Sequence, residues 1–268
     1  MSSWAELQAW RRERFPAPEW LAVALLVGTA ASPSTGARDA ARTLALALGL
    51  LLQFRLWDDL ADRERDAREH PGRVLARAAR PRSFLLALLA CGACNAALAA
   101  AGPRPLEALG ALALLTGLYL AWYAGLRDRV QVPLAAAHLQ VVKYGAFVLI
   151  ASGWPLRPGL RTALGAAAVW LAFCAYELLH DERLRARRLA PAVLALDAAL
   201  LLGLAGLAAG TIPATVAWGA LAAAPLAATG GALALAVGRV WRGLPPGRLR
   251  YAPFALGLVL ALSLAVLD

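Results

Sequence analysis

The sequence predicts an all-α integral membrane protein, a bundle of nine transmembrane helices around a central apolar cavity, with a cytoplasmic N-terminus. Three observations predict it. The 268 residues are 60% hydrophobic and only 16% charged, against about 45–50% and about 25% in a soluble domain. Apolar runs of about 20 residues, enough to cross a hydrocarbon core about 30 Å thick, recur along the whole chain. The remaining charge gathers at alternate ends of those runs. Disorder is excluded by the hydrophobicity and collagen by the missing glycine period. Cys91, Cys94 and Cys174 are too few for a disulfide scaffold and read as small packing residues in apolar stretches.

Taken in order, the spans are expected at 18–32, 40–57, 83–101, 106–125, 132–152, 160–180, 190–210, 214–238 and 251–267. The first is short, between Pro18 and Ser32-Pro33. The charged lead Arg11, Arg12, Glu13, Arg14 and then Pro16 mark it as an uncleaved span, not a signal peptide. Pro81, Pro103-Arg104-Pro105, Trp154-Pro155, Ile212-Pro213 and Pro245-Pro246-Gly247 punctuate the later runs. On this map one set of ends holds 20 arginines, and the opposite set holds only Arg38, Arg42, Arg104, Arg157 and Arg161. By the positive-inside rule the richer side is cytoplasmic. In a soluble protein a net charge of +10 would point to nucleic acid. Here the arginines border apolar runs, no basic-aromatic stripe accompanies them, and the expected partner is the lipid bilayer. The chain reads as one domain, 1–268, with polar segments at 58–82 and 176–189.

Two acidic clusters are more organised than helix ends require. At the cytoplasmic end of the second span, Asp58, Asp62 and Asp66 recur at i, i+4, i+8, with Asp59 beside them. On a continuous helix this is one stripe of like charges, which repel unless cations neutralise them. Magnesium, which takes oxygen ligands and bridges carboxylates to phosphates, is the natural cation; a solvated helix end paired with Arg63, Arg65 and Arg68 is the alternative. At the end of the sixth span Glu177 and Asp181 repeat the i, i+4 spacing. Four spans separate the two clusters, so both face the same side. Arg55 and Lys143 are intramembrane charges of the kind that mark a substrate path. Lys143 is expected on the cavity wall near His138 and Gln140, or else in an ion pair with Asp197.

These residues resemble a known family. Asp58-Asp-x-x-Asp62-x-x-x-Asp66 followed by His70-Pro71-Gly72-Arg73 resembles the first signature of the UbiA superfamily of intramembrane prenyltransferases. Glu177-x-x-x-Asp181 looks like that family's second acidic motif, and Tyr123-x-x-x-Arg127 like its Tyr-x-x-x-Lys element. The sequence departs at Asp58, where Asn is usual, at Glu177, where Asp is usual, at Arg185, where another Asp stands, and at Val74, where Pro does. The resemblance implies Mg²⁺-dependent ionisation of an isoprenyl diphosphate and transfer of the prenyl group to an acceptor. It implies Asp58, Asp62, Asp66, Glu177 and Asp181 as metal ligands, with Asp62, Asp66 and Asp181 as catalytic residues. Arg55, Arg73, Tyr123, Arg127 and Lys143 are the expected substrate-binding residues. Two other readings stay open: a UbiA-type terpene cyclase that needs no acceptor, and a transporter or scaffold that needs neither acidic stripe.

Overall fold

A computed structural model describes residues 3–31, 36–79, 81–211 and 217–265, and all of its regular structure is helical. The breaks predicted at Ser32-Pro33 and Ile212-Pro213 lie outside the described residues. An amphipathic lead helix, α1 (Ser3–Arg14), precedes α2 (Ala17–Ala31) and α3 (Ala37–Ala61). Two short helices follow, α4 (Arg63–Glu69) and α5 (Val74–Arg77), then α6 (Pro81–Ala100) and α7 (Pro105–Ala121). A segment over Trp122–Leu126, kinked at Gly125, joins α7 to α8 (Arg127–Arg129). The chain continues through α9 (Pro133–Ser152), α10 (Leu160–His180), α11 (Glu182–Arg185), α12 (Ala190–Thr211), α13 (Ala217–Trp241) and α14 (Ala252–Ala265).

Among the described residues a helix lies within each of the nine predicted segments, and seven helical stretches are long and apolar enough to cross a membrane. The other two are α2 and α3. Helix α2 is apolar but has 15 residues, about 22 Å of rise against a core of about 30 Å. Helix α3 has 25 residues, with charges at both ends. Turn chemistry set the boundaries: Pro105 and Pro133 open α7 and α9, where a missing N–H costs nothing. Gly153 closes α9 at φ 77°, the left-handed cap glycine favours.

Packing without water depends on close approach of small residues. Helix α10 is the centre, lying against α9, α14, α12 and α2. A Cβ added at Gly165 of α10 would sit 2.8 Å from the Ala30 carbonyl of α2. Between α3 and α6, Asn95 Nδ2 donates to Gln53 Oε1 at 2.7 Å inside the protein, and a Cβ at Gly49 would overlap Asn95 Oδ1. Aromatic rings meet in the middle: Phe54, Tyr119, Phe147 and Tyr144 touch edge to face or tilted, and Tyr144 stacks on Phe173.

Candidate functional site

Helix α3 carries Asp58 and Asp59 in its last turn and ends at Asp62 (φ −87°, ψ 3°). The chain resumes as α4 with the spacing kept, because the Asp62 N–H donates to the Asp58 carbonyl at 2.9 Å and the Asp66 N–H to the Asp62 carbonyl at 2.7 Å. The three carboxylates do not share one cation. Each has its own, taken from a different part of the chain.

Asp58, 7% exposed, accepts from three donors. Lys143 Nζ reaches its Oδ2 at 2.5 Å, and the hydroxyls of Tyr119 and Tyr123 both donate to Oδ1, the second at 2.6 Å. Lys143, 3% exposed, also donates to the Tyr119 hydroxyl at 2.5 Å and lies over the Tyr119 and Tyr144 rings. Asp62 takes Arg127 Nη1 at 2.6 Å and Asp66 takes Arg73 Nη1 at 2.5 Å. A kink before Arg127 aims it there; Gly125 in that kink has φ 144°, a conformation that L side chains rarely adopt.

Asp59 is held still more firmly. Arg14 of α1 grips both its oxygens at 2.9–3.2 Å, Arg55 reaches Oδ1 at 3.2 Å, and Trp10 Nε1 donates to Oδ2 at 2.9 Å. Helix α1 thus closes over the acidic segment. Its Glu13 accepts from the Val74 N–H at 3.0 Å, and Trp10 packs with Leu56, Leu75, Ala78 and Phe84.

The second acidic cluster lies at the same end. Glu177 lies near Arg55, Lys143, Asp58 and Asp181, yet forms no hydrogen bond or ion pair among the described residues. Asp181 caps α11, accepting from the Arg183 and Leu184 N–H groups at 2.7 and 3.3 Å. Arg183 then reaches back to Glu69 of α4 at 2.9 Å. Outside the spans, Arg183 and then Arg65 hold the Glu69 carboxyl below the usual carboxylate range by hydrogen bonding.

The sequence placed Lys143 beside His138 or Asp197. The fold pairs those two with each other, His138 Nε2 lying 3.0 Å from Asp197 Oδ2, and gives Lys143 to Asp58. It also adds residues the sequence reading passed over. Tyr119 stands one turn before Tyr123, an i, i+4 signal that was visible. Arg250 gave no signal: it lies over Tyr251, which faces Tyr176 of α10, which stacks on His180. Arg55 and Arg250 each keep a buried Nε–H with no acceptor.

Among the described residues no three Asp, Glu, His or Cys side chains converge as a ready-made metal site. The donor set is nevertheless carboxylate oxygen, the chemistry magnesium takes. Asp58 and Asp181 are committed to buried or backbone donors. Asp62 and Asp66 could serve only if Arg127 and Arg73 turned away from them, and Glu177 has no hydrogen bond or ion pair among the described residues.

No protein-family description matches this chain, and no curated protein or solved structure matches it either.

Proposed function

We propose that this chain is a UbiA-like prenyltransferase that crosses the bilayer nine times with its N-terminus in the cytoplasm. It binds an isoprenyl diphosphate at the cytoplasmic face, ionises it, and transfers the prenyl group to an acceptor. The observation that carries this reading is a buried polar centre at one end of an otherwise apolar bundle. A molecule with an anionic head and an apolar tail suits such a place. The unpartnered Nε–H groups of Arg55 and Arg250 are donors whose burial costs free energy until an anion accepts from them. Arg73 and Arg127, one ion pair away, can turn from Asp66 and Asp62 to phosphate oxygens, which guanidinium forks grip bidentately.

Asp62, Asp66 and Glu177 would then hold magnesium, which when bound supplies positive charge to a departing diphosphate. The chain's own part is larger. Its arginines stabilise the negative charge that grows on the diphosphate as the C–O bond breaks. The apolar surroundings keep water from the allylic cation left behind. Lys143 holds Asp58 and the tyrosines in place.

The cluster of buried aromatic rings favours the cyclase as second reading, since it can shelter a cation with no acceptor present. One experiment separates them. Protein reconstituted in bilayer discs is incubated with prenyl diphosphates of increasing length and Mg²⁺, with and without candidate acceptors, and products are read by mass spectrometry. Diphosphate release with a prenylated product only when an acceptor is present supports the transferase. A cyclic product without acceptor supports the cyclase, and no diphosphate release with any substrate would overturn both.

A further inference from the structure

Away from the polar centre, a groove of about 570 Å³ runs along α13. Gly231, Ala234, Leu235 and Gly238 line it at i, i+3, i+4, i+7, the spacing of one helical face. Two glycines and an alanine on that face leave a furrow where larger side chains would stand. The furrow ends at Arg239 and Arg242. Arg239 is aimed by its Nε, which donates to the Pro245 carbonyl at 2.9 Å. Arg242 folds over Gly238, its Nη2 4.0 Å from where a Cβ would sit. Neither arginine meets a carboxylate among the described residues. The arginine end is level with the polar centre, because Tyr251, in the turn after α13, faces Tyr176 at 6.0 Å.

We infer that this groove is a binding site for one anionic phospholipid, its acyl chain along the small-residue face and its phosphate on Arg239 and Arg242. Length agrees: Gly231 to Arg242 spans about 16 Å along the helix, close to one leaflet of a hydrocarbon core about 30 Å thick. Charge agrees as well, since an unpaired arginine couple at a membrane surface attracts anionic headgroups. A second copy of the chain is the competing occupant, because Ala234-x-x-x-Gly238 has the small-residue spacing by which membrane helices pair. Parallel pairing would bring Arg239 and Arg242 onto their own counterparts, a like-charge contact that a phosphate avoids. Free phosphate would leave the apolar furrow unused.

The full chain, purified in detergent, is mixed with equal amounts of phosphatidylglycerol and phosphatidylcholine, and retained lipid is counted by native mass spectrometry. We expect a preference for phosphatidylglycerol of about 30-fold, from about fivefold per arginine. R239A/R242A should bring it to within about twofold while the protein stays monodisperse. Gly231→Leu fills the furrow, and because nothing lies within 4 Å of its added Cβ the fold should hold. It should lower retention of both lipids. Equal retention by the unaltered chain, an undiminished preference in the double variant, or displacement of the lipid by millimolar inorganic phosphate would overturn the assignment. So would a dimer that Gly231→Leu dissociates. No readout depends on prenyl chemistry, so failure here and failure of the transferase reading are separate results.

Discussion

The two acidic motifs occupy the same end of the bundle and are resolved in opposite ways. In the first, every carboxylate is matched by a cation from elsewhere in the chain: Asp58 by Lys143, Asp59 by Arg14 and Arg55, Asp62 by Arg127, Asp66 by Arg73. In the second, Asp181 is spent on a helix cap and Glu177 has no hydrogen bond or ion pair among the described residues. A stripe of like charges at i, i+4 is a problem that a fold must solve. Here the first stripe is solved internally and the second is left facing the site. Being charged and well spaced does not make a carboxylate free to bind. Whether another helix delivers a counter-ion decides that.

The largest test of this contrast is Lys143→Met. It leaves Asp58 buried with two phenols and no cation, and removing one partner of a buried pair costs about 3–5 kcal/mol. Thermal unfolding in detergent should show that loss. Adding Asp58→Asn should recover most of it, because the orphaned charge is gone. A double variant as unstable as the single one would break the comparison.

Glu177→Gln sharpens it from the other side. With no partner to lose, stability should stay within about 0.5 kcal/mol, while diphosphate release falls about 10²-fold, equivalent to about 2.7 kcal/mol of barrier. A large drop in unfolding temperature would mean that Glu177 is a structural residue like Asp58.

Arg127→Gln should cost about 1 kcal/mol or less, since both partners of the Arg127–Asp62 pair are 25% exposed and salt screens them. Its unfolding temperature should approach that of the unaltered chain as salt rises. The Lys143 variant should show no such recovery, because buried pairs are screened much less.

The smallest effect concerns Glu69, which ties the first segment to the second through Arg183. Its carboxyl is held below the ordinary range in the folded chain. The pair therefore stabilises above the unfolded-state pKa, and the stabilisation fades over the acid window in which pH falls from that value through the lower folded one. Unfolding curves of the unaltered chain and of Arg183→Gln should differ slightly at neutral pH and converge in that window.

Much of this architecture was legible in the residues. Hydrophobic run length and proline or glycine punctuation depend only on local chemistry, so α6, α7, α9 and α10 begin and end within a few residues of expectation. That both acidic motifs share one end also followed, from counting four spans between Asp58 and Glu177. The lead helix α1 escaped notice because its value lies in partners such as Asp59 and Val74, more than forty residues away. Arg250 escaped for the same reason.

By itself, then, the sequence determined a membrane-buried helical chain and the set of charged residues that had to be dealt with inside it. Periodicity and hydropathy are properties of a single segment, and burying a charge is expensive wherever it falls. Only the tertiary structure decided the pairing: Lys143 with Asp58 and not Asp197, His138 with Asp197, Arg14 with Asp59, and nothing among the described residues with Glu177. Pairing depends on which helix faces which and at what height. Small-residue contacts such as Gly165 on Ala30 and Gly49 on Asn95 set that through packing between segments distant in the chain, and no local pattern of residues encodes it.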